Sequence, residues 1–233
     1  MHENFNLAND YGALYIYHGA AEFIDDMIKN RGIDHLNGAI YDNDGHLFKR
    51  ESFRKAPHNS YLQFTAVDEV AESNEYDITR TYEALPFMDE DDAVEGENID
   101  NVEIVYSNSA YSKVTYEYDD ANEVFIRYNG DEMTVELDTE QPIELDNVFI
   151  VETNHKVIDN SGRREIDLES GGNAYLLQKG KIQNVQWENQ DGRIVPVKDG
   201  QAVKFVPGKS WVNVVPADPG LDSSVTVSSG ESG

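Results

Sequence analysis

The residues best suited to chemistry fall in one short stretch, Pro57-His58-Asn59, with Arg50 and Arg54 just upstream. Proline stiffens the approach, histidine can move a proton or bind a metal near neutral pH, and asparagine offers a donor and an acceptor together. The two arginines can pair with an anionic ligand. A competing structural reading makes Asn59 the cap of a following helix and His58 a hydrogen-bonded loop residue. A second histidine, His18, precedes Gly19 where a strand passes into a helix, a place where free N–H groups can accept an anion. A plain strand-to-helix turn also explains that pair. The candidate ligand set is therefore His18, Arg50, Arg54, His58 and Asn59.

Other constellations are weaker. Asp42, Asp44, Gly45 and Glu51 echo a calcium loop, but aligning the glycine puts Ile40 at the first ligand position, where it cannot coordinate a hard cation. A hairpin turn is the better reading. Asn154-His155, near Arg163-Arg164, reads as a polar loop with the option of facing another domain. Trp187 and Trp211 lie in strand-like runs, where core packing is the default for large aromatics. The chain has no cysteine, which excludes thiol chemistry and Cys-ligated metals. No Gly-x-Ser-x-Gly elbow, Walker loop or His-Glu-x-x-His helix occurs. No cofactor and no metal are expected.

The charge balance bounds the partners. The 233 residues carry 45 acidic and 18 basic side chains, a net charge of −27, which repels phosphate backbones and anionic headgroups. The nearest thing to a basic patch is the small island Lys49, Arg50, Arg54 and Lys55. Nucleic acid is excluded as a partner; an unknown small ligand or a basic protein fits. No apolar run approaches the ~18 residues of a membrane span, and no signal peptide is visible.

These residues need elements to hold them. A strand is expected at 13–18 and a helix over about Ala20 to Arg31, with Phe23, Ile24, Met27 and Ile28 on one face and Gly32 just past its end. Ala39–Tyr41 and His46–Phe48 read as a hairpin around Asp42-Asn43-Asp44-Gly45, and a second helix fits Ser60 to Ser73. From Asp89 to Glu97 six of nine residues are acidic, which predicts a solvated linker or loop. From Asn101 the period becomes two, with Gly-containing turns between short runs. The fold class is α+β: an N-terminal mixed α/β part (1–88), an acidic linker (89–100), a β-rich antiparallel C-terminal domain (101–219) and a disordered tail (220–233).

Three stretches carry a family resemblance: Tyr11-Gly12-Ala13-Leu14-Tyr15-Ile16-Tyr17-His18-Gly19; Phe53-Arg54-Lys55-Ala56-Pro57-His58-Asn59; and Gly171-Gly172-Asn173-Ala174-Tyr175, Lys179-Gly180-Lys181, Trp187, Asp191-Gly192 and Pro207-Gly208-Lys209-Ser210-Trp211. Together they resemble the YerB-like family of bacterial proteins assigned as lipoproteins, a family of unknown function. The resemblance covers about Tyr11 to Pro216 and implies an extracytoplasmic protein tethered by an N-terminal lipid; it implies no activity. It also implies an upstream N-terminal half, after a lipoprotein signal, that this sequence lacks, so the α/β part is expected to be truncated and the chain soluble without its anchor. The functional expectation is a non-enzymatic binding or interaction module. The alternative is a cell-envelope hydrolase with His58 as general base.

Overall fold

The computed structural model describes residues 7, 8, 10–79, 84–89, 91–107 and 112–229. The chain divides into two compact units, residues 1–83 with 191–193, and residues 84–190 with 194–233. The division at 83/84 puts the acidic segment, expected as a linker over 89–100, inside the second unit.

In the first unit β1 (Tyr15–Tyr17), α1 (Glu22–Asn30) and β2 (His35–Asn37) form a β-α-β unit whose two strands pair in parallel. The helix runs close to the predicted span because its apolar face has somewhere to go. Ile28 is fully buried with Ile33, and Ile24 and Met27 pack against them. Glu22 and Asp25 in the first turn and Lys29 in the last suit the helix dipole. The end is a Schellman turn: Ile33 N donates to Ile28 O, Gly32 N donates to Lys29 O, and Gly32 sits at φ +65°.

Three local expectations are corrected. The strand expected at Ala39–Tyr41 lies earlier, at His35–Asn37, where Leu36 is buried in the core with Leu47 and Phe48. Asp42 to Gly45 is a side-chain-closed loop instead of a hairpin turn. Asp44 Oδ1 accepts the N–H groups of His46, Leu47 and Phe48 at 2.9–3.0 Å. The helix expected from Ser60 begins only at Val67. Ser60–Leu62 is a strand, β4, paired with β3 (Phe48–Arg50), and the short 3₁₀ turn Phe64–Ala66 leads into α2 (Val67–Ser73). The pairing satisfies the backbone of 60–62 and lets Leu62 pack on the same core as Val67 and Val70.

The second unit is β-rich. Along the chain come β5 (Glu97–Asn98), β6 (Asn101–Val105), β7 (Lys113–Asp119), β8 (Val124–Asn129), β9 (Glu132–Met133), β10 (Glu144–Leu145) and β11 (Asn147–Thr153). Then follow β12 (His155–Val157), β13 (Arg164–Ile166), β14 (Gly172–Gln178), β15 (Lys181–Gln190), β16 (Arg193–Lys198), β17 (Gln201–Ala202), β18 (Ser210–Pro216), α3 (Leu221–Ser224) and β19 (Val225–Ser228). One sheet has the order β10-β8-β7-β6-β19, with β9 also on β8; the other has the order β17-β16-β15-β14-β11-β18, with β5 also on β15. A shared core of Val102, Ile104, Tyr116, Phe125, Val148 and Ile150 joins them. In β8 the inward parity is that of Phe125 and Arg127, the latter 4.6 Å over the Trp211 ring.

Three findings depart from the expected antiparallel domain with flanking linker and tail. First, β11 and β18 pair in parallel, Asn147 opposite Ser210 through Thr153 opposite Pro216. Second, the described part of the acidic segment is strapped to the sheet. β5 pairs with β15, Lys204 holds Asp89 at 3.0 Å and Asp92 at 2.7 Å, and Lys198 holds Glu95 at 2.9 Å. Lysines facing the run remove the self-repulsion that predicted a free linker; Glu90 lies outside the described residues. Third, the tail expected to be disordered is folded through Ser228. β19 pairs with β6, and Leu221 and Val225 are buried in the core. Alternating β-branched Val225, Thr226 and Val227 outweigh the Ser/Gly composition that masked them; residues 230–233 lie outside the described residues.

Candidate functional site

The N-terminal unit brings His18, Arg50 and Asn59 together around Asp42, a residue that the sequence offers as part of a failed calcium loop and of a turn. Arg50, at the end of β3, clasps Asp42 side-on. Its Nε lies 2.8 Å from Oδ1, and its Nη2 donates to Oδ2 at 2.9 Å. Its Nη1 donates to Asn59 Oδ1 at 2.7 Å. Asn59 in turn donates from Nδ2 to the backbone oxygen of Glu51 at 3.1 Å. Asn59 thus braces β3 against β4, and the helix-cap role does not apply because a strand follows it.

The loop before β3 makes this clasp reachable. Asn43 Oδ1 accepts the Arg50 N–H at 3.0 Å, and the Asp44 cap folds 44–48 back on itself. His18, just past β1, approaches from the other side, with Nε2 3.4 Å from Asp42 Oδ1. Its ring stands edge-on to Phe48 at 5.6 Å between centroids. Gly38 permits that arrangement: a Cβ there would fall 2.7 Å from Phe48 Cζ and 2.8 Å from His18 Cδ2. Asn37 ties the turn, its Oδ1 accepting the N–H groups of Gly19 and Ala39 at 3.0 and 2.9 Å.

Electrostatically the centre is a closed pair. The hydrogen-bonded Arg50 guanidinium, with a smaller contribution from His18, holds the Asp42 carboxyl below the usual carboxylate range. A bidentate Arg–carboxylate pair is geometrically specific, and here it occupies the cation that was expected to receive an anionic ligand.

Arg54 and His58 do not join the cluster. Arg54 is exposed, its guanidinium 5.9 Å over the Phe53 ring. His58 is exposed, and its backbone N–H closes a turn onto Lys55 O. Among the described residues its ring meets no carboxylate that would orient it as a base. The histidines with a carboxylate beside them are His18, 3.4 Å from Asp42, and His46, 3.5 Å from Glu69. Asp42 was legible only as part of a turn or of a rejected calcium loop, because the clasp depends on where the 42–48 loop folds.

The remaining motifs resolve as structure. Among the described residues no group of three His, Cys, Asp or Glu side chains is placed to hold a metal ion. Trp187 is fully buried and donates to Glu152 O at 2.8 Å. Arg163 pairs with Asp159 at 2.6 Å. No helix among the described residues is long and apolar enough to cross a membrane.

Comparison with known proteins follows the same two-part division. Residues 2–77 match the model described as "Protein of unknown function (DUF3048) N-terminal domain", and residues 102–212 match that of its C-terminal domain. "Putative lipoprotein YerB" of Bacillus subtilis (strain 168) is 38% identical over 226 residues, which cover 97% of this chain. The chain spans 66% of that relative's length. The crystal structure of the Bacillus subtilis YerB protein superposes with a TM-score of 0.85 at 35% identity, covering 97% of this chain and 73% of that one.

Proposed function

The chain belongs to the DUF3048 family, and from that premise we propose that it is an extracytoplasmic, lipid-tethered binding module without catalytic turnover. The name of the Bacillus relative supports the tether. The observation that carries the binding reading is the assembled state of the Arg50 cluster. Arg50, Asp42 and Asn59 are locked by hydrogen bonds of 2.7–2.9 Å, which presents His18 on a rigid rim. Such a surface is organised before a ligand arrives, which lowers the cost of binding. Arg54 and His58, exposed on the segment between β3 and β4, stand outside that rim.

The hydrolase alternative needs His58 to be oriented by a carboxylate, and the geometry gives it no support. The acidic composition favours a second type of occupant, a basic protein, whose binding would weaken steeply with salt.

Native mass spectrometry of gently purified protein tests the reading beside His18→Ala and His58→Ala variants. A copurified small molecule lost in His18→Ala supports the Arg50 rim as its seat. Hydrolytic activity on an envelope substrate that disappears in His58→Asn would install the alternative instead.

A further inference from the structure

The second sheet of the C-terminal unit ends on an open strand. β18 stands last in the order β17-β16-β15-β14-β11-β18 and pairs only with β11. The other sheet ends, β10, β17 and β19, are two, two and four residues long, whereas β18 has seven. Its sequence, Ser-Trp-Val-Asn-Val-Val-Pro, carries no charge in a chain that is 27% charged. Long edges are ordinarily blunted by charges or bulges, because their free backbone groups are a template for another strand.

The register decides which groups are free. Asn147 N donates to Lys209 O at 3.1 Å and Ala217 N donates to Thr153 O at 2.7 Å, which turns the backbone of the odd-numbered residues toward β11. The N–H and C=O groups of Val212 and Val214 therefore point away from the sheet, and nothing pairs with them among the described residues. Pro216, which has no N–H, closes the far end of the edge.

Alongside this edge lies a cation without a counter-charge. β18 crosses the facing sheet: Trp211 meets Arg127 of β8, and Asn213 Oδ1 accepts the hydroxyls of Tyr116 in β7 and of Tyr106 just past β6, both at 3.1 Å. Arg127 is part-buried; its Nη1 donates to Thr134 Oγ1 at 2.8 Å, and its Nε is buried without a partner. A guanidinium carried into an interior normally meets a carboxylate. None pairs with Arg127 among the described residues, although the chain holds 45 acidic side chains. Burial raises the Tyr106 and Tyr116 phenols, Arg127 draws both back, and no carboxylate acts on either.

We propose that the β18 edge takes an extended peptide segment as an added strand, with a carboxylate of that segment on Arg127. Val212 and Val214 supply the main-chain hydrogen bonds, and the guanidinium selects an acidic side chain by charge-assisted pairing. A second copy of this chain would bring no carboxylate with its own β18 and would leave Arg127 unpaired. A basic segment would meet a like charge. This surface is separate from the Arg50 rim and does not depend on it.

The test pans a display library of random heptapeptides against the full chain and measures the enriched peptide by fluorescence anisotropy. An Asp or Glu fixed at one position among β-branched residues is expected, with saturable binding. In NMR spectra the peptide should slow exchange of the Val212 and Val214 amides. Affinity should fall about ten-fold or more in Arg127→Gln, and equally when the peptide's acid is replaced by its amide; the second measurement stands even if Arg127→Gln does not fold. Val212→Pro removes an outward N–H at an exposed position and should weaken binding, while Val212→Thr binds as the wild type does. No enrichment, enrichment without an acid, or unchanged affinity on loss of the acid overturns the proposal. So does a dimer in sedimentation that Val212→Pro abolishes, which would give the edge to a second copy.

Discussion

The Arg50 rim of the N-terminal unit and the clefts around Gln183 in the C-terminal unit spend polar chemistry in different ways. At the rim, ionised groups find each other. Arg50, Asp42 and Asn59 form a set whose strongest donors and acceptors already have mates. In the clefts of the C-terminal unit some charges are paired, Lys198 with Glu95 and Glu152 with the Leu221 N–H, while the amides of Gln183 and Asn184 remain open to solvent. The difference follows from cost. Leaving a buried charge unpaired is expensive enough that folding normally pairs it, whereas an amide at a cleft wall can stay wetted. Arg127 is the exception, a part-buried cation with no carboxylate beside it among the described residues.

The largest effect that sharpens this comparison is expected away from both sites. Asn147 is a buried amide with partners: Gln178 Nε2 donates to its Oδ1, its Nδ2 donates to Val206 O and its Oδ1 accepts the Val206 N–H, both at 2.9 Å, while Gln178 Oε1 is buried without a partner among the described residues. Asn147→Ala should cost about 2–4 kcal/mol in urea unfolding. Gln183→Leu, removing an unpaired amide, should cost little or stabilise. Equal losses in the two variants would break the distinction between committed and open amides. Next, Gly38→Ala forces Phe48 and His18 apart and should cost about 1–3 kcal/mol, with the His18 ring resonances shifting in NMR spectra.

A smaller effect concerns acid. The folded Asp42 carboxyl titrates below its unfolded value, so its contribution to stability is present above the unfolded value and is lost as pH falls through the folded one. Arg50→Ala should move the Asp42 carboxyl midpoint upward in a ¹³C-detected titration and shrink that acid-side loss; an unmoved midpoint would show that the clasp is not formed in solution. Smallest is a spectroscopic marker of the same clefts. Burial first, and the hydrogen bond to Asp222 second, push the Tyr175 phenol up to about 12. Its raised value means its contribution persists below pH ~10 and fades as pH rises through the folded value. Tyr175→Phe should delete one late-titrating phenol from the ultraviolet titration, and loss of an ordinary one would contradict the Asp222 contact.

Much of the architecture was legible because local pattern and burial agree. The α1 face of Ile24, Met27 and Ile28, the Gly32 stop and the period-two runs from Asn101 all carry their own signal. Errors arose where a long-range partner overrode local grammar. Ser60–Leu62 looked helical until β3 claimed it, and the acidic run looked free until Lys198 and Lys204 paired with it. The candidate set was legible in part: His18, Arg50 and Asn59 meet, but their hub, Asp42, lay hidden in a loop whose shape is set by Asp44. Arg127 gave no signal at all, since a missing counter-charge is visible only once everything around it has been placed.

The pairing of β19 with β6 has a consequence for how this protein is made. Val225 lies opposite Ile104, and β18 reaches back to β11. Contacts so distant in sequence slow folding, because the intervening chain must be ordered before they are rewarded. During synthesis, β6 and β11 leave the ribosome well before the strands that cover them. A nascent chain halted near Gly200 would leave both without these partners, and emergence of β18 and β19 is the step that supplies them.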